Sequence, residues 1–532
     1  MDVLIKNGLI ADGTLSEPYK ADIAVRGDKI AAIGRALPCE AGLCIDARGM
    51  LVTPGFIDCH SHSDNHILMG TSGYNYIEQG ITTEIAGQCG SSAAPGDEDD
   101  YALYAGVIPE DVIREARAAC ETPERFMERV SGMELPTNMA FFIGHGSVRQ
   151  KVMGFSAAKP DVEQLGEMKA LVSRAVDAGF MGVSSGLIYP PSVYADTDEL
   201  AALACAAAER GGMYASHIRG EGDFCIPAVK EAIEIGRRAG CPVEISHHKI
   251  EGARNEGNSA VTLALVQEAN AQGIPVGIDQ YPFIACSTGL ISALPPCFMT
   301  EGDKGFLKNL ADHSFRDKVR HMVLTDDKSF DNILPVAGFD KWMIVDAQNE
   351  PGLSGKSIAD VAEERGLDPF DAIYELLLTN DARVRMAYFT INQSDMISIL
   401  SDPLVMCGTD GYHLYGRKAY DAPPSTHPRM ISTFPRNLRL TRQKTSLSVA
   451  QAIRRVTGLP ADRHGLGDIG YIREGARADI CVFDWEKLGE TNDYMHPYKP
   501  NTGIEHVFVG GKHALKDGRA TGEKGGILLR RS

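Results

Sequence analysis

The chain has 532 residues, 44% of them hydrophobic, so it is long enough to bury a large core and to form more than one domain. A formal charge of −18 and a pI near 5.3 set it against nucleic acid and anionic membrane surfaces as partners. Twelve cysteines, Cys39 and Cys44 through Cys481, show no paired C-x-x-C spacing, and no run approaches the roughly 18 apolar residues of a membrane span; both point to a cytoplasmic protein.

In chain order, the opening "DVLIKNGLIADG" and "ADIAVRGDKIAAIG" alternate apolar and polar side chains and close on Asp-Gly or Gly-Asp turns, which predicts short strands. The N-terminus has no basic n-region, and Lys6 and Asn7 interrupt its apolar stretch, so no signal peptide is expected. Near the other end, "GYIREGARADICVFDW" predicts a hairpin, and "HVFVGGKHALKDGRA" repeats the apolar spacing of the opening. The two ends together predict one small β-sandwich domain made from residues 1–53 and 465–532.

Between them, over 54–464, short apolar segments alternate with helical ones: "TPGFIDCH", "ITTEIAGQCG", "MAFFIGHGS", "FMGVSSGL", "GMYASHIRG", "PVEISHHK", "IPVGIDQYP" and "LVMCGTDG". The intervening "EQLGEMKALVSRAVDAG", "TDELAALACAAAERG" and "IPAVKEAIEIGRRAG" have helical periodicity. Eight such strands predict an α/β fold, a (β/α)8 barrel. The interval from Pro282 to Leu404 is too long for one barrel helix and includes "SIADVAEERG" and "DPFDAIYELLL", so a subdomain inserted at about 285–350 is expected.

Barrel chemistry sits where strands end. The strand ends here carry His60 and His62, Cys89, His145, His217, His247, Tyr281 and Asp410. Residues i and i+2 of a strand share a face, so His60 and His62 form a metal clamp. Thiolate and imidazole suit Zn²⁺, and Cys89, His217 and His247 supply three ligands with a fourth position open. A single His or Cys at a strand end is more often a packing residue than a ligand; the joint pattern carries the reading. Asp410, otherwise a turn residue before glycine, stands where a carboxylate takes a proton from water and passes it on. His145 and His248 are read as structural.

Two motif matches fail on context. "GVSSG" at 182–186 fits the nucleophile elbow of serine hydrolases but is followed by "LIYPPS" rather than a helix. "GLGDIG" at 465–470 fits a dinucleotide fingerprint but precedes a predicted hairpin.

With these residues assembled, the chain resembles the amidohydrolase superfamily and, within it, the D-aminoacylase or N-acyl-D-amino-acid deacylase family. The carriers, over nearly the full length, are "PGFIDCHSHSD", "TTEIAGQCGSSAAP", "YASHIRGEG", "ISHHK", "DQYPFIACST", "GTDG" and "HPRMISTFPR". The resemblance implies a barrel with a small β-sandwich and a tight zinc on Cys89, His217 and His247. It also implies a second, weaker metal site at His60 and His62, and Asp410 as general base and acid. Lys249, Tyr281, Ser287 and Arg429 would grip the substrate α-carboxylate, a task for which a planar guanidinium is suited. The substrate implied is a small N-acyl-D-amino acid, with acetyl as the expected acyl group. The segment matching the family's side-chain pocket, "GLISALPPCF", has no Arg or Lys, which favours neutral or apolar side chains.

A cyclic-amide hydrolase of the dihydropyrimidinase or dihydroorotase kind would need a lysine on the fourth strand, and "FMGVSSGL" has none. A catalytically silent barrel acting as a binding protein would have no use for the full ligand set with Asp410.

Overall fold

The computed structural model describes residues 1–38, 41–96, 108–414 and 425–530. Cys39 lies outside the described residues. All eight predicted barrel strands form, and every pairing between neighbours is parallel. Phe56–Asp58, Ile81–Ala86 and Asn138–Phe141 make a three-stranded sheet. Ile143–Gly144, Gly182–Gly186, Met213–His217, Val243–Ile245, Val276–Gln280 and Val405–Cys407 make a six-stranded one. Phe142 links the two where its N–H donates to Ala86 O at 2.8 Å. The ring closes where Asp410 N donates to His60 O at 2.9 Å and Ser61 bridges Gly411 in parallel.

The helices form where the periodicity places them. Asp161 caps Val162–Ala178 by accepting Gln164 N at 2.9 Å, and Gly179 ends it at φ 110°. Its buried face is Met168, Val172, Ala175 and Val176, spaced as one side of a helix. Thr197–Ala208 and Cys225–Ala239 pack beside it in sequence.

Residues from both ends share one nine-stranded sheet, eight strands along a single path with Leu43–Asp46 paired to Val3–Ile10 beside it. Leu51–Pro54 is its hinge, pairing in parallel with Val3–Ile10 and antiparallel with Ile480–Phe483. Ile23, Val25 and Ile30 from one end share a core with Val482 and Phe508 from the other, so the path folds over as a small sandwich. The hairpin expected within 470–485 does not form. Residues 470–479 are turns and extended segments outside any strand, and Ile480–Phe483 takes Leu51–Pro54 and Ile504–Val509 as partners instead.

Between the seventh and eighth barrel strands, Cys286–Gly289, Val384–Tyr388 and Trp342–Ala347 form an antiparallel sheet with Val384–Tyr388 in the middle. Phe306, Trp342, Ile358, Phe370, Tyr374 and Tyr388 fill a core of its own. This inserted module therefore runs past residue 350 to Tyr388, because its middle strand comes last in sequence. Among the described residues no helix is long and apolar enough to cross a membrane.

Candidate active site

At the barrel mouth the chain turns sharply after three strands. Cys89, His247 and Asp410 have φ of 53°, 35° and 49°, a region that side-chain-bearing residues seldom occupy. The turns swing a thiol, an imidazole and a carboxylate back over the same opening. Gly408 makes this passage possible: a Cβ there would lie 2.6 Å from both His60 Cβ and Asp279 Oδ1.

One ligand atom each from Cys89, His217 and His247 lies within 4.8 Å of the others, and the same holds for His60, His62, Cys89 and Asp410. Cys89 belongs to both groups: its Sγ is 3.2 Å from His247 Nε2 and 3.3 Å from His60 Nε2. Burial alone would raise the Cys89 thiol, but the His60 and His247 imidazoles hold it well below its ordinary value. Neither ring nitrogen of buried His217 has a hydrogen-bond partner in the protein. Two orphaned nitrogens on a buried imidazole are costly unless a ligand takes one. A thiol poised to ionise beside two imidazoles fits a borderline-soft divalent cation such as Zn²⁺.

Asp410 faces this cluster, with Oδ1 3.0 Å from His62 Nε2 and 3.7 Å from His60 Nε2. Its Oδ2 is 2.8 Å from Arg429 Nη1, a buried ion pair. Burial pushes the Asp410 carboxyl up, yet the Arg429 guanidinium and the nearby imidazoles hold it well below the usual carboxylate range. Burial would likewise lower His62, but its hydrogen bond to Asp410 carries it up to about 9.

Arg429 begins the helix Arg429–Lys444, and its guanidinium stacks 4.9 Å from the Tyr281 ring centroid. The Tyr281 hydroxyl, Ser287 Oγ and Arg429 Nε are buried without hydrogen-bond partners, and the Lys249 ammonium lies 5.5 Å from the same Tyr281 ring. The four residues proposed for carboxylate binding thus converge on one wall, with Ser287 coming from the first strand of the inserted module. The pocket in front of them opens to solvent, and Leu187, Val193 and Phe330 contribute apolar surface to its lining.

His145 is held away from this cluster by Ser192 Oγ at 2.8 Å and Glu199 Oε1 at 3.0 Å. His248 bonds Thr262 Oγ1 at 2.8 Å. Ser184, in the decoy "GVSSG", donates to Gly87 O inside the barrel. Two acids at the site carry no signal of their own in the sequence. Asp279 Oδ1 accepts His247 N at 2.9 Å and its Oδ2 lies 3.5 Å from His60 Nδ1, so one carboxylate braces both groups. Glu221 accepts from Lys249 Nζ at 2.5 Å. Burial raises the Glu221 carboxyl, but Lys249 and the two nearby imidazoles outweigh it and bring it well below its ordinary value.

The chain matches the Amidohydrolase family over residues 44–514. It is 32% identical over 533 residues to a D-aminoacylase of Alcaligenes xylosoxydans xylosoxydans, covering 100% of this chain and 98% of the relative. To an N-acyl-D-glutamate deacylase of the same organism it is 31% identical, covering 100% and 97%. Among solved structures, the N-acyl-D-glutamate deacylase of Bordetella bronchiseptica, complexed with zinc and a phosphonate mimic of the reaction's tetrahedral intermediate, superposes with a TM-score of 0.81 at 30% identity, covering all of both chains. A D-hydantoinase at 16% identity and a TM-score of 0.56, covering 100% and 99% of the two chains, shares the fold.

Proposed function

The chain belongs to the amidohydrolase family and, within it, to the D-aminoacylases and N-acyl-D-amino-acid deacylases; from that premise we propose that it uses zinc to hydrolyse the amide bond of N-acyl-D-amino acids, releasing a carboxylate and a free D-amino acid. One observation carries the proposal: Cys89, His217 and His247 converge within 4.8 Å of one another, beside Asp410. These three residues would hold a tight zinc, and His60 with His62 a second, weaker one. Zinc, when bound, supplies Lewis acidity toward an amide carbonyl and lowers the pKa of a nearby water.

The protein's own groups do the rest. Asp410, kept ionised by Arg429, takes the proton from water on a carboxylate oxygen and delivers it to the departing amine nitrogen. Arg429, Tyr281, Ser287 and Lys249 hold the substrate α-carboxylate, and the unpartnered donors on the first three support this role. Apolar Leu187, Val193 and Phe330 beside the pocket support a neutral or apolar substrate side chain, with acetyl as the acyl group. With Lys249 assigned to the α-carboxylate, the other cation among the described residues lining the pocket is Arg219, which Glu231 engages at 2.9 Å, so it is not free for an acidic side chain.

The same reading divides the chain into a β domain from 1–53 with 465–532 and a catalytic barrel over 54–464. A cytoplasmic setting is part of it, supported by the free thiols of all described cysteines. The test is a panel of N-acetyl-D- and N-acetyl-L-amino acids, including leucine, phenylalanine and glutamate, followed by release of primary amine. Turnover of the neutral D-substrates is expected; release from L-substrates alone overturns the proposal.

A further inference from the structure

We propose that Glu221 is a positioning residue, the shared acceptor that allows a metal-ligating His247 and a carboxylate-gripping Lys249 to stand side by side; the inference rests on the zinc and carboxylate sites proposed above. His247 Nε2 faces Cys89 Sγ at 3.2 Å, so it is the nitrogen that would bind the proposed zinc, and in that zinc-bound state the ring's proton would sit on Nδ1. Nδ1 lies only 2.8 Å from Lys249 Nζ. An ammonium and an imidazole N–H at that distance are two donors facing each other with no lone pair between them. Glu221 Oε1 resolves the conflict, accepting from Lys249 Nζ at 2.5 Å and lying 3.1 Å from His247 Nδ1. Its other oxygen stands 3.8 Å from His217 Nε2, beside the second imidazole of the same ligand set.

The backbone fixes Glu221 from two sides. Glu221 N donates to Asp331 Oδ2 of the inserted module at 2.9 Å, and Glu221 O accepts Glu251 N at 2.9 Å. Gly220 before it permits the close fit, since a Cβ there would come within 2.7 Å of Phe224 Cβ and 3.2 Å of Asp331 Cγ. The inserted module therefore holds the acid that keeps the metal side and the carboxylate side of the pocket compatible.

The test follows zinc release from the zinc-loaded protein into a chelator, a readout independent of turnover. E221Q replaces the anionic acceptor with a neutral amide and is expected to weaken zinc retention by about 10- to 100-fold. K249M placed in the E221Q background removes the opposed donor and is expected to restore retention toward that of the wild type. A purely architectural Glu221 would give a double variant no better than E221Q, which overturns the inference, as does wild-type retention in E221Q. Should E221Q not fold, E221Q/K249M is still expected to fold and hold zinc, and its failure also overturns the inference. The underlying metal site fails separately, if the unaltered protein binds no zinc.

Discussion

Replacing Asp410 with asparagine keeps the shape of the side chain and removes its ability to carry a proton. In the structure one oxygen lies 3.0 Å from His62 Nε2 and the other 2.8 Å from Arg429 Nη1, with the residue only 8% exposed. General acid–base catalysis contributes typically 10²- to 10⁴-fold, and Asp410 acts at both ends of the reaction, so the loss belongs near ~10⁴. At about 1.36 kcal/mol per factor of ten, that is roughly 5 kcal/mol on the barrier. The same change leaves the buried Arg429 without its counter-charge, which costs about 3–5 kcal/mol of stability in the free protein. The substrate carboxylate can then supply that guanidinium's counter-charge, so KM should not rise. The assay is steady-state amine release from an N-acetyl-D-amino acid, alongside thermal unfolding and zinc content. The reasoning is refuted if Asp410→Asn retains more than about a tenth of wild-type kcat. Loss of the Cys89-site zinc together with activity would make Asp410 a ligand of that ion instead.

Arg429→Lys replaces a planar fork with a point charge, and steady-state kinetics should show KM rising about tenfold or more with a smaller change in kcat. Arg149, fully buried, pairs with Glu199 at 2.7 and 2.6 Å; Arg149→Ala should cost about 3–5 kcal/mol in urea unfolding without changing zinc content. Burial, helped by Glu251, pushes the Asp331 carboxyl up to about 7. A raised folded pKa means the native state binds the extra proton between the unfolded value, near 4, and 7. Its contribution to stability is therefore present at low pH and lost as pH rises through that window. Asp331→Asn should flatten that decline in a series of melting temperatures against pH.

The barrel was legible because most strands announce themselves twice, as an apolar run such as "MYAS" and as a polar residue where it ends, such as His217. Strand order therefore brings Cys89, His217, His247 and Asp410 to the barrel mouth as candidates, with His145 and Tyr281 among them. What strand order does not encode is the turn each makes: the positive φ at Cys89, His247 and Asp410 decides that one thiol is shared between two groups of ligands. Glu221 and Asp279 were hidden because their meaning lies in contacts across the barrel mouth: a lone acid after a strand, as Glu221 is, reads as a solvated turn, and Asp279 sits inside Val276–Gln280, where the sequence does not say which groups it faces. The inserted module was underestimated because its middle strand, Val384–Tyr388, is the last in sequence, so its pairing with Cys286–Gly289 spans about a hundred residues. The predicted hairpin near 480 failed for a related reason: a strand offered a neighbouring segment as partner took Leu51–Pro54 from the far end of the chain instead.

The most direct test is the zinc content of the purified, exhaustively dialysed protein and of its Cys89→Ala variant, measured by elemental analysis. About one tightly held zinc per chain is expected in the unaltered protein and none in the variant, whose two remaining imidazoles cannot retain it. A wild-type protein free of metal and yet active, or a Cys89→Ala variant with undiminished zinc, would contradict the account.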